Sequence, residues 1–139
     1  MTAFSKSSED KLEQAHPLLR LLMHEAISES PVDFGISCSV RGAAEQDKCY
    51  AEGKSEAKAG QSPHNFVPSL AVDIFPVVLG RAVWNDLALF DKLLRHIELV
   101  AQELGIAVEL GRDFPNFIDR PHIQIAKWRT HVPECKEAE

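Results

Sequence analysis

The sequence predicts an α+β fold, with a small antiparallel sheet and flanking helices. Three observations carry that expectation. A capped apolar stripe between residues 85 and 105 has the period of a long amphipathic helix, and short β-like runs are interspersed with helical ones. The last two such runs, IAVEL and HIQIA, are joined by a turn-rich link too short to hold a crossover helix, so they pair antiparallel.

In chain order, Ser7 and Asp10 resemble a capping box at the start of a helical region. Leu12, Ala15, Leu19, Leu22 and Ala26 recur on one side of it, and Pro17 divides it or starts a second helix. Ser30-Pro31 ends that region, and residues 32–39 alternate as a strand. GAAEQDKCYAEG then reads as a helix closed by Gly53, which leaves Arg41 where a strand feeds a helix.

Residues 54–69 are rich in Gly, Ser, Lys and Pro and read as loop. LAVDIF is expected as a strand ending at Pro76. Asn85 is expected to cap a helix whose stripe is Leu87, Phe90, Leu94, Ile97, Ala101 and Leu104, with Trp84 stapled onto Leu89 and Gly105 ending it. IAVEL and HIQIA complete the strands, flanking GRDFPNFIDRP, and the tail THVPECKEAE is polar and expected to fray.

The 139 residues suit one domain, residues 1–139, with its polar tail from about 130. With 45% apolar and 26% charged residues, and no run near the roughly 20 apolar residues of a membrane span, stable membrane insertion is not expected. A net charge of -6 argues against nucleic acid as a partner. MTAFSKSSEDKLEQ lacks the basic and apolar runs of a secretory signal, so synthesis in a cytoplasm is expected. Cys38, Cys49 and Cys135 are odd in number, form no CxxC pair and read as free thiols. His16, His24, His96 and His131 are assigned no role, His96 being read as a surface or interfacial residue of its helix.

His64, Asp73 and His122 supply the three protein ligands that a catalytic zinc requires, from a loop and two strands that could meet at one end of a sheet. Each has an ordinary alternative, as a hydrogen-bonded histidine or a solvated aspartate.

SPHNFVPSLAVDIFP and FIDRPHIQI resemble the two metal-ligand motifs of zinc peptidases that cut D-amino-acid-containing bonds of bacterial cell-wall peptides. That family includes phage L-alanyl-D-glutamate endopeptidases and D-alanyl-D-alanine carboxypeptidases and dipeptidases. VRGAAEQDKCYAEGKS, residues 40–55, resembles the stretch before the first ligand motif in phage members, and the similarity extends from Pro31 to Ile125.

The resemblance implies a fold like that of the DD-peptidases and hedgehog domains. It implies His64, Asp73 and His122 as Zn2+ ligands, Asp119 as catalytic acid/base, and Arg41 as the group that binds the substrate carbonyl and steadies its oxyanion. Asp119 has its own alternative, as a turn residue paired with neighbouring Arg120. Ser62 and Gln46 match polar positions of the motifs and are expected to bind substrate.

The implied function is a zinc-dependent peptidoglycan peptidase, a phage or prophage endolysin that hydrolyses the L-Ala-D-Glu bond of stem peptides. A D-Ala-D-Ala carboxypeptidase or dipeptidase, or a non-catalytic zinc-bearing module, are the alternatives. The endolysin reading implies a monomer made in the host cytoplasm, delivered by a holin-type partner and acting on the periplasmic cell wall. Two departures from the family pattern stand out. Eight residues separate His64 from Asp73 where many relatives have six, a longer form that resembles a phage subgroup with an HNxxPSLAVD pattern. GRDF, residues 111–114, replaces the frequent GGDW in one pocket wall.

Overall fold

A computed structural model describes residues 2–139. Helix α1, Lys6–Leu12, is capped by Ser5, whose hydroxyl accepts the Ser8 N–H at 3.2 Å; the cap expected at Ser7 lies two residues too late. Ser8 is thereby buried, and its hydroxyl accepts the Ile36 N–H, tying the helix to the sheet. Pro17 begins α2, Pro17–Ser28, where its fixed φ and missing N–H suit the first helical position. The N-cap is His16, whose Nδ1 accepts the Leu18 N–H at 3.2 Å.

Strand β1, Phe34–Cys38, leads into α3, Ala43–Ala51, with Arg41 at their junction as expected. The following loop carries a 3-10 turn at Pro63–Asn65 and a two-residue strand, β2, Phe66–Val67. Strand β3, Ala71–Val78, runs through Pro76 and forms a hairpin with β4, Arg81–Ala82. Pro76 is tolerated because its carbonyl accepts from Val83, so its nitrogen lies on that same side, away from β1, and no donor is missing from the β1 ladder.

Helix α4, Leu87–Leu104, is capped by Asp86, not Asn85; the Asp86 carboxylate accepts the Leu89 N–H at 3.0 Å. Trp84 packs against Phe75 and Phe90, ring centroids 5.1 and 6.4 Å away, in place of the expected staple onto Leu89. The buried face is Phe90, Leu93, Leu94, Ile97 and Ala101, while Leu87 and Leu104, expected in the stripe, are exposed and Gly105 ends the helix at φ +70°. His96 is interfacial, its Nε2 donating to the Ala26 carbonyl of α2 at 2.8 Å.

Strands β5, Val108–Leu110, and β6, His122–Ile125, pair antiparallel as expected. The sheet order is β1-β3-β6-β5, and every adjacent pair is antiparallel. Val72, Ile74, Ile123 and Ile125 turn into the core shared with α2 and α4. The pleat therefore turns Asp73, His122 and Gln124 to the opposite face.

The C-terminal segment is not frayed. A 3-10 stretch, Trp128–Glu134, leads to β7, Lys136–Glu137, which pairs with β2, and the Ala138 N–H donates to the Asn65 carbonyl at 2.7 Å. Polar side chains made that segment read as loose, but its backbone supplies the ladder partners that Phe66 and Val67 otherwise lack. His16 adds a contact to Glu134 at 3.1 Å. Cys38, Cys49 and Cys135 are free thiols. Among the described residues no helix is long and apolar enough to cross a membrane.

Candidate active site

The polar face of the sheet floors a cleft of about 890 Å³. Asp73 and His122 are register partners on β3 and β6, so their side chains emerge side by side, with His122 Nδ1 3.4 Å from Asp73 Oδ1. His64 arrives from the 3-10 turn and brings Nε2 to 3.1 Å from the same oxygen. The turn is set by Ser62, whose hydroxyl accepts the His64 N–H at 3.2 Å while Asn65 Oδ1 accepts the Ser62 N–H.

The tautomers of both histidines follow from their other nitrogens. His64 Nδ1 lies 2.7 Å from the Ser39 carbonyl, which can only accept, so Nδ1 carries the proton and the Nε2 lone pair points inward. His122 Nε2 lies 2.7 Å from Gln124 Oε1, and the amide of Gln124 is oriented by Nε2 donation to Glu109 at 3.0 Å. His122 thus donates from Nε2 and turns the Nδ1 lone pair inward. With both inner nitrogens unprotonated, the two rings and the Asp73 carboxylate present an N, N, O set of the kind a metal cation takes.

Protonation tells the same story electrostatically. Burial alone would lower the pKa of His64, but the adjacent Asp73 carboxylate outweighs it and raises it to about 10. Burial likewise opposes ionisation of Asp73, and the charges and hydrogen bonds of His64 and His122 hold it well below the usual carboxylate range. The Asp73 carboxylate thus favours the protonated form of His64. Cys38 Sγ is also close to His64, at 3.8 Å, but from the Nδ1 edge, which Ser39 already occupies. Cys38, His64 and Asp73 bring ligand atoms close together, while His64 Nε2 and His122 Nδ1 both approach Asp73 Oδ1, at 3.1 and 3.4 Å.

Asp119 lines the same cleft from the connection before β6. Its pKa is raised, first by burial and then by the Asp73 charge, with His122, His64 and Arg41 pulling the other way. It is not paired with Arg120, which reaches Asp91 instead at 3.2 Å. Its backbone is clamped by Gly111, whose carbonyl accepts the Asp119 N–H at 2.9 Å, and a Cβ on Gly111 would collide with the Asp119 carbonyl oxygen. Gly111 is the retained glycine of GRDF. Arg112 turns away to Glu98 and Asp113, at 2.6 and 3.0 Å, and Phe114 lies against the His122 ring.

Arg41 joins the cluster at the other oxygen of Asp73, 3.4 Å away, and its backbone N–H donates to the His64 carbonyl at 2.7 Å. Gln46 does not line the cleft. Its side chain is fully buried behind Arg41, accepting from Arg41 at 3.1 Å and from Asn65 at 3.2 Å, and donating to Ser55 and the Ala57 carbonyl. The expectation of a substrate contact at Gln46 is corrected to one of positioning, because no part of it reaches solvent. Ser62 borders the cleft, yet its hydroxyl is occupied in capping.

Sequence reasoning placed five side chains here, His64, Asp73, His122, Asp119 and Arg41, that the fold brings together. It missed Ser39, Asn65, Glu109 and Gln124, which orient them. For Gln124 a signal existed: its position two residues after His122 puts both on one face of a strand.

Comparison with known proteins finds relatives along most of the chain. The L-alanyl-D-glutamate peptidase of Escherichia phage T5 is 32% identical over 111 residues, 80% of each chain. The crystal structure of the L-Ala D-Glu endopeptidase ChiX from Serratia marcescens superposes with a TM-score of 0.78 at 27% identity, covering 89% of this chain and 90% of that one. Residues 1–126 match the phage L-alanyl-D-glutamate peptidase family, and the chain belongs to that family.

Proposed function

We propose that the protein is a zinc-dependent peptidase that hydrolyses the L-Ala-D-Glu bond of peptidoglycan stem peptides, as a phage or prophage endolysin. The observation that carries the reading is the approach of His64 Nε2 and His122 Nδ1 to Asp73 Oδ1 in one cleft that Asp119, its pKa raised by burial, also lines. Family membership and the two relatives named above support the choice of bond.

His64, Asp73 and His122 would hold the zinc; when bound, it supplies Lewis acidity toward the scissile carbonyl and lowers the pKa of the nucleophilic water. Asp119 is not needed as a ligand and acts as the proton carrier. It accepts a proton from the attacking water and returns it to the leaving amine, and a raised pKa suits the second step. Arg41, always cationic and braced by Gln46, places a guanidinium where negative charge develops on the substrate carbonyl. Ser62 and Gln46 serve this site by fixing His64 and Arg41.

In the same reading, residues 1–139 act as one catalytic domain and as a monomer, made in the host cytoplasm and admitted to the periplasmic cell wall by a holin-type partner. The deciding experiment is mass spectrometry of purified stem peptides incubated with zinc-loaded protein, with chelator-treated protein and Asp119→Ala as controls. New fragments beginning at D-Glu, lost in both controls, are expected. Release of terminal D-Ala alone would select a carboxypeptidase, and no cleavage would select a non-catalytic zinc module.

A further inference from the structure

The cleft holds three cationic side chains, Arg41, Lys54 and Arg129. Arg41 is engaged by Asp73 and Gln46, and Lys54 reaches Glu52 at 3.4 Å. Arg129 forms no ion pair among the described residues; its guanidinium carbon instead lies 4.3 Å from the centroid of the Trp128 ring. Trp128 is buried and packs on Phe66, with ring centroids 5.9 Å apart, and Phe66 lies two residues after His64. A packed path thus links Arg129 to the turn that carries His64.

A guanidinium stacked by its face keeps its edge donors free, and those donors form the fork that matches a carboxylate. Stacking also removes part of the rotamer freedom that a long side chain would lose on binding. An acidic chain of net charge -6 needs such a local cation to attract an anionic peptide.

We propose that Arg129 is a specificity-determining residue that receives a free carboxylate of the peptide substrate beside the scissile bond. This rests on the reading of the cleft as an L-Ala-D-Glu peptidase site. A glutamate acylated on nitrogen by alanine has two carboxyl groups, and the peptide continues through only one of them. The other stays within a few bonds of the amide to be cut. Among the cations of the cleft, Arg129 is the one that no acid among the described residues already holds.

The test uses two synthetic stem peptides that differ only in that group, a carboxylate in one and a carboxamide in the other. Zinc-loaded wild type, R129Q, R129K and K54Q are assayed with kcat and KM resolved, and thermal melts confirm that each is folded. Wild type is expected to favour the carboxylate peptide by about tenfold or more in kcat/KM, the scale of one charge-assisted pair. R129Q is expected to abolish that preference through KM while cleaving the carboxamide peptide near the wild-type rate, R129K to restore part of it, and K54Q to leave it intact. A preference that survives in R129Q, an equal loss on both peptides, or an indifferent wild type overturns the role of Arg129 alone. Failure of wild type to cleave either peptide overturns the peptidase reading itself, and the role of Arg129 with it.

Discussion

His122 presents Nδ1 to the cluster because Gln124 Oε1 takes the proton on Nε2, and Glu109 fixes which end of the Gln124 amide faces the ring. Such outer partners commonly change metal affinity by about 10- to 100-fold. Gln124→Ala is expected to weaken zinc binding on that scale without unfolding the protein, measured by competition with a chromogenic chelator. Gly111 acts on a different property. A methyl group there pushes against the Asp119 carbonyl and approaches His122 Cβ at 3.0 Å, so the Asp119 segment must move. Gly111→Ala is expected to lower kcat/KM by about a hundredfold, the effect of displacing a reacting group by roughly an ångström. A variant with wild-type kinetics would show that Asp119 need not be held there.

At the scale of elements, the helix periodicity was legible while its caps were not. The stripe Phe90, Leu94, Ile97 and Ala101 is buried as expected, and Leu93 joins it, but the cap is Asp86 and Leu87 is solvent-exposed. Asn85 and Asp86 both have a capping side chain, and only the chain path from β4 decides which one precedes the first helical turn. Asp86→Ala is expected to cost about 1 kcal/mol of stability, while Asn85→Ala should stay within about 0.5 kcal/mol, both read from chemical denaturation midpoints. The C-terminal strand escaped sequence reasoning for a related cause. Two-residue pairings such as β2 with β7 rest on backbone groups, which every residue type except proline supplies equally.

For the whole molecule, zinc bound as proposed would couple to folding. A cation bound at 1,000 times its dissociation constant stabilises the folded state by about 4 kcal/mol, so zinc should raise the melting temperature and a chelator should lower it. The pH dependence has a definite sign. The His64 pKa is raised from 6.5 in the unfolded chain to about 10, so its proton stabilises the metal-free fold fully below 6.5 and ceases to do so as pH rises through about 10. In the proposed site zinc would displace that proton. Between pH 6.5 and 9, zinc affinity is expected to increase with pH, with about one proton released per ion bound, measurable by calorimetry in buffers of different ionisation enthalpy. Affinity that is flat across this window would mean that His64 is not a ligand.

Taken alone, the sequence determined the α+β class, the long amphipathic helix and the antiparallel pairing of the last two strands, and its resemblance to a known family pointed to the five side chains that share the cleft. Those features depend on local periodicity, on link length and on short motifs whose residues lie close in the chain. Tertiary structure alone decided that Gln46 braces Arg41 from behind, that Arg112 turns toward α4, and that Ser39 and Gln124 set the histidine tautomers. Each of these depends on strand register or on contacts between distant segments. A polar side chain reads the same in sequence whether the fold turns it toward the cleft or seals it beneath.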